Sequence, residues 1–220
     1  MTTPMLAFHN DPAIKAKYLA RIAAHAKADE IVQGVGFERN GAVRACAVGC
    51  TLDVYDPALY PIELGLPKWL ALLEDAIHEG IPLAMAKKWP ARFLRAINVG
   101  ADVEPVLRRL TKLRMDRLLP PLIANSAPYA RECEAAVRGV IALCEMHLAD
   151  TVKARSAAES AAESAASAAE SAWSATSAAE SAWSAASARS VASARSAWSA
   201  AWQWEADALV KLLRACKAAA

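Results

Sequence analysis

One set of side chains in the first quarter of the chain has the make-up of a metal site: His9, His25, Asp29, Cys46 and Cys50. Imidazole, carboxylate and thiolate are the groups that zinc and related divalent ions bind. His25 and Asp29 are four residues apart, which puts them on one face if the segment is helical. Cys46 and Cys50 add a Cys-x3-Cys pair beside a tight turn, a spacing unlike the CxxC pairs of zinc ribbons. Three roles compete here. The cluster could serve a metal-dependent enzyme at His9, His25 and Cys46, or one cysteine could act as a nucleophile. Alternatively Cys46 and Cys50 are small buried residues and His25 is a core histidine.

The second chemical feature is charge. Residues 87–117 carry nine basic side chains against three acidic ones, a net of +6. Residues 53–79 carry six acidic against one basic, a net of −5. A basic face built on Arg108, Arg109, Lys112 and Arg114 would suit a nucleotide phosphate, a nucleic acid or an acidic protein. The competing role is a solvated face that pairs with the acidic segment. The chain as a whole has a net charge of only +2, which decides neither way. No phosphate-binding glycine loop, nucleophile elbow or His-Glu-x-x-His motif is present, and no cofactor is expected.

The elements that must position these residues can be placed in turn. Asp11-Pro12 is a helix start, with Asp11 as cap and Pro12 in the first turn, and that helix is expected to run to about Gln33. Asn40-Gly41 between two short extended runs predicts a β-hairpin over residues 35–48. Three prolines between Tyr55 and Pro67 predict loop. Helices are expected to open at Pro67, Pro90 and Pro105, the last broken by Pro120-Pro121, and a fourth to start near Ser126 and reach at least His147.

From Ser156 to Ala201 the chain is almost wholly Ala and Ser, with Glu, Arg and Trp interspersed. Ser156, Ser160, Ser164, Ser167, Ser171 and Ser174 recur at the α-helical period. Trp173, Val191 and Leu209 are each 18 residues apart, and Trp183, Trp198, Trp202, Leu212, Leu213 and Cys216 fall near the same line. Ala favours helix strongly. One long helix or a helical hairpin is therefore expected. Trp173, Trp183, Trp198 and Trp202 then form a stripe that either meets a partner, pairs two copies of the chain, or simply anchors the tail to its own domain.

Residues 1–10 lack a charged region followed by an apolar one, so no cleavable signal is expected. No apolar run approaches a membrane span. Five scattered cysteines without such a signal suggest reduced thiols and a cytoplasmic location.

Phe8-His9-Asn10-Asp11, Gly49-Cys50-Thr51-Leu52, Glu63-Leu64-Gly65-Leu66-Pro67 with Leu73-Glu74-Asp75, Trp89-Pro90 and Gly100-Ala101-Asp102 together resemble an uncharacterised family of bacterial and phage genomes whose members often end in an Ala/Ser/Trp helix. The resemblance covers nearly the whole chain. The tail by itself resembles the Ala-rich helices of bacterial immunity proteins. No catalytic residue is carried over from either. The resemblance implies a setting of phages, mobile elements and bacterial conflict.

The expectation is thus a mainly α protein: a helical domain over residues 1–150 with one small hairpin, then an Ala/Ser/Trp-rich helical region over 151–220. The expected role is non-enzymatic binding, as an immunity or anti-defence factor that occupies a partner's surface. The alternatives are phosphate or nucleic-acid binding by the basic region and metal-dependent catalysis at the His/Cys cluster.

Overall fold

A computed structural model describes residues 5–40, 42–124, 130–145 and 188–218. Trp173, Trp183, the serine series from Ser156 to Ser174, Gly41, the helix start near Ser126 and His147 lie outside the described residues. The fold is mainly α with one small two-stranded antiparallel hairpin among them. The chain divides into two compact units, Met1–Leu107 with Ser193–Ala220, and Arg108–Ala192. The expected boundary near residue 150 lies outside the described residues, and the last part of the tail is grouped with the first unit rather than standing alone.

The first unit opens with a short 3-10 turn at Ala7–Asn10 and then α1 (Pro12–Lys27), which Asp11 caps by accepting from the Ala13 amide at 2.8 Å. Helix α1 stops six residues before Gln33. Ala28 caps it and Asp29 takes a left-handed backbone (φ 58°), a conformation that ends helices. Strands β1 (Phe37–Asn40) and β2 (Ala42–Ala45) form the hairpin, with Phe37 opposite Ala45.

Cys46 to Val48 were expected to extend β2. Instead Cys46 is the N-cap of α2 (Ala47–Leu52), its sulfur accepting from the Gly49 amide at 3.5 Å. Every residue of α2 is buried. Gly49 allows this closeness, since any β-carbon there would collide with the Gly36 carbonyl.

The expected loop at 55–67 also folds: Pro57–Leu59 is a 3-10 turn and Tyr60–Leu64 is α3, with Pro61 in its first turn, where proline is tolerated. Helix α4 (Lys68–Gly80) follows Pro67 as expected. A short α5 (Leu83–Ala86) and α6 (Trp89–Ala96) complete the helices before residue 100. Helices α1, α2, α4 and α6 pack together around Tyr18, Ile22, Val48, Leu70, Ile77 and Phe93.

Helix α7 (Glu104–Ile123) runs through Pro120-Pro121, which were expected to break it. The two prolines have no amide to donate to the Asp116 and Arg117 carbonyls, yet the turn continues, and the Ala124 amide donates to the Pro120 carbonyl at 3.1 Å. The second unit takes in most of α7 together with α8 (Ala130–Glu145), in which Ala136 and Val137 are buried.

The last helix, α9 (Ala188–Ala215), ends in the first unit. Ala206, Leu209, Val210, Leu213 and Cys216 are buried, at spacings of three, one, three and three residues. That is one apolar stripe of a helix. Asn98 fastens its end by donating to the Cys216 carbonyl at 2.7 Å, and Ala101 bridges to Ala218.

Candidate functional site

The His/Cys cluster does not assemble. Among the described residues no three His, Cys, Asp or Glu side chains are placed to hold a metal. His9, on a left-handed backbone, has its Nε2 3.0 Å from the Ile62 carbonyl. His25 is buried between Glu30 (Nδ1 to Oε2, 2.6 Å) and Asp53 (Nε2 to Oδ1, 2.8 Å), and Asp53 also pairs with Arg21 at 3.1 Å. Asp29 left the face of His25 when α1 ended, and it pairs with Lys87 at 2.5 Å.

Cys46 and Cys50 are buried, and the Cys50 thiol donates to the Ala45 carbonyl at 3.5 Å. Burial, reinforced by nearby carboxylates, pushes the Cys46 thiol well up and the Cys50 thiol up to about 12. A thiol held protonated is neither a ready ligand nor a nucleophile. The cysteines pack, and His25 joins a hydrogen-bonded cluster with Glu30 and Asp53 at the ends of α1 and α2.

The basic set also fails to converge. At 100° per residue, Arg108 and Lys112 share one side of α7, Arg109 lies about 60° to 100° away from them, and Arg114 points to the opposite side. Lys112 pairs with Asp116 one turn on, at 3.0 Å, and burial lowers the Arg114 value. Elsewhere in the basic run Lys87 meets Asp29, and Arg92 meets Asp207 at 2.5 Å. The acidic residues of 53–79 mostly meet other groups. Tyr55 donates to Asp75 at 2.9 Å, the Gly34 amide to Glu79 at 2.8 Å, and Tyr18 to Glu63.

Sequence inspection passed over Glu74. It is fully buried on α4, and Tyr60 donates to its Oε2, while its Oε1 has no partner. Burial raises its carboxyl to about 8, with the Asp75 charge adding to the rise and the Tyr60 hydrogen bond opposing it. Glu74 is thus a neutral acid near neutral pH. The signal was present: Leu70, Glu74 and Ile77 fall at helical spacing on the buried face. No substrate atom could reach this carboxyl, because the whole residue lies in the core.

A surface of the first unit is open to a ligand. A groove of about 260 Å³ is lined by Ile81, Ala84, Met85, Lys88, Trp89 and Arg92, at the turn from α4 through α5 into α6. Beside it α9 lays Trp202 on Gly80, so closely that a β-carbon at position 80 would overlap the indole. Trp198, one turn earlier, meets Trp202 edge-on, with ring centroids 5.9 Å apart, and is 64% exposed. Two members of the tryptophan stripe therefore have different roles: Trp202 anchors the helix and Trp198 faces outward.

No protein-family model, no curated protein and no solved structure matches this chain. No helix among the described residues is long and apolar enough to cross a membrane.

Proposed function

We propose that this chain is a non-enzymatic protein-binding module that acts by occupying a partner's surface, with Trp198 and the adjoining groove as the contact. One observation carries the proposal. Trp198 is the most exposed tryptophan among the described residues, yet Trp202 and the docked end of α9 hold it in place. An ordered, solvent-facing indole set against an anchored tryptophan is the usual make-up of an interface anchor, since Trp supplies large contact area at few rotatable bonds.

Among the described residues Glu74 is sealed in, the Cys46 and Cys50 thiols are held protonated, and His9, His25 and His78 bond within the fold, which favours binding. An immunity or anti-defence role in the cytoplasm, suggested by the family resemblance, is the specific form proposed.

The test compares wild-type protein with Trp198→Ala, both isolated from the cells that encode the chain, by native mass spectrometry with a denatured control. The proposal expects a protein partner on the wild type that the variant loses while its circular dichroism is unchanged. A wild type carrying only a small ligand, or a variant that keeps the partner, contradicts it.

A further inference from the structure

We infer that the groove at the turn from α4 through α5 into α6 receives an acidic amphipathic helix, whose apolar side chain enters between Ile81, Ala84 and Met85 while its carboxylates meet Lys88 and Arg92. This deepens the protein-binding proposal and rests on it.

The lining is apolar except for two cations; the carboxylate next to it is Asp207, which takes one side of Arg92 and, among the described residues, leaves Lys88 as the free cation. Lys88 is exposed and makes no side-chain hydrogen bond or ion pair among the described residues. Arg92 uses one nitrogen on Asp207 and keeps further N–H donors, since a guanidinium carries five. An occupant with a negative rim thus gains at Lys88 and loses little at Arg92, whereas a basic one meets like charge. Such rim charges mainly set which partner is accepted.

The spacing favours a helix. Lys88 and Arg92 are four residues apart, one helical turn, and carboxylates one turn apart on an opposing helix repeat at the same interval. The volume of about 260 Å³ is below that of a typical small-molecule pocket and suits one or two side chains inserted from outside. Trp202 covers Gly80, the residue before the lining residue Ile81, and Trp198 meets Trp202 edge-on. Leu83, 52% exposed, lies on α5 between the lining residues Ile81 and Ala84. A helix laid along this strip would bury Trp198 and fill the groove with successive apolar positions.

The test uses two fluorescein-labelled synthetic helices of about 16 residues with the same Leu and Phe at positions i, i+3, i+4 and i+7. One carries Glu at its polar positions and the other Lys. Fluorescence polarisation is read on the full chain, on Lys88→Glu and Lys88→Gln, and on Ala84→Trp, which fills the groove. Positions 84 and 88 are exposed, and circular dichroism checks each fold.

The expected result is that the Glu peptide binds at least about tenfold tighter than the Lys peptide, a preference that Lys88→Gln weakens and Lys88→Glu reverses. Ala84→Trp should weaken binding of the Glu peptide by a similar factor. Equal binding of both peptides, indifference to Lys88→Glu or Ala84→Trp, or no binding by either peptide overturns the acidic-helix inference. Those outcomes leave the broader proposal standing if the Trp198→Ala protein still loses its partner in the mass spectrum. A wild type that carries no partner overturns both.

Discussion

The indole of Trp202 covers Gly80 at the end of α4 so closely that position 80 has no room for a β-carbon. The backbone there is ordinary helix, so Gly80 is required by its neighbour and not by its own dihedral angles. That contact fixes α9 on the first unit one turn after Trp198.

Gly80→Ala is expected to displace the indole and cost about 1–3 kcal/mol, the usual penalty for overfilling a packed contact. In a Trp202→Ala background the same change should be neutral, or stabilising by up to about 1 kcal/mol through helix propensity. Urea unfolding of the four proteins, followed by circular dichroism, measures this coupling. Additive effects would show that the two residues do not meet.

Glu74 should make stability depend on pH. Its folded value is raised to about 8 above that of an ordinary carboxyl, so the folded chain keeps a proton that the unfolded chain releases. The contribution is fully present below the ordinary carboxylate range and is lost as pH rises towards and through about 8. The loss is on the order of a few kcal/mol. Glu74→Gln keeps an oxygen for the Tyr60 hydroxyl and should flatten the dependence. Denaturation midpoints at pH about 6 and about 9 decide it, and a variant with the wild-type slope would assign the effect to other groups.

Cys46 and Cys50 should resist alkylation in the folded chain and react fully in urea, because burial holds both thiols protonated. Iodoacetamide labelling followed by peptide mapping reads each site. A chelator should leave the labelling unchanged. If chelation exposed these two thiols, a metal would be protecting them and the packing role would be wrong.

The divided basic residues of α7 predict weak, non-saturating binding of single-stranded DNA, with little change on Arg109→Ala or Arg114→Ala. A built phosphate site would instead lose about one unit of salt slope for each contact removed. Filter binding across a salt series distinguishes the two.

Local chemistry carried much of the fold into the sequence. Asp11-Pro12, Pro67 and Asn40 marked the helix starts and the hairpin, and the Leu209–Cys216 spacing marked the docked stripe of α9. The errors were tertiary in origin. Cys46 caps a helix where strand propensity pointed to extended chain, because α2 is inserted whole into the core. Asp29 turned away from His25 because the chain ended α1 early with a left-handed residue. The candidate site was half legible. Trp198 and Trp202 were singled out together, but only packing against Gly80 separates anchor from exposed contact. The groove is assembled from residues 81–92, where Ala84, Met85 and Lys88 look unremarkable until α5 brings them together.

The most direct test of the binding account is the mass of the native protein with and without the Trp198 indole. The account predicts a wild-type spectrum containing the chain plus a protein partner, and a Trp198→Ala spectrum at the bare-chain mass with unaltered circular dichroism. A partner retained by the variant, a variant that unfolds, or a wild type at bare-chain mass would contradict it.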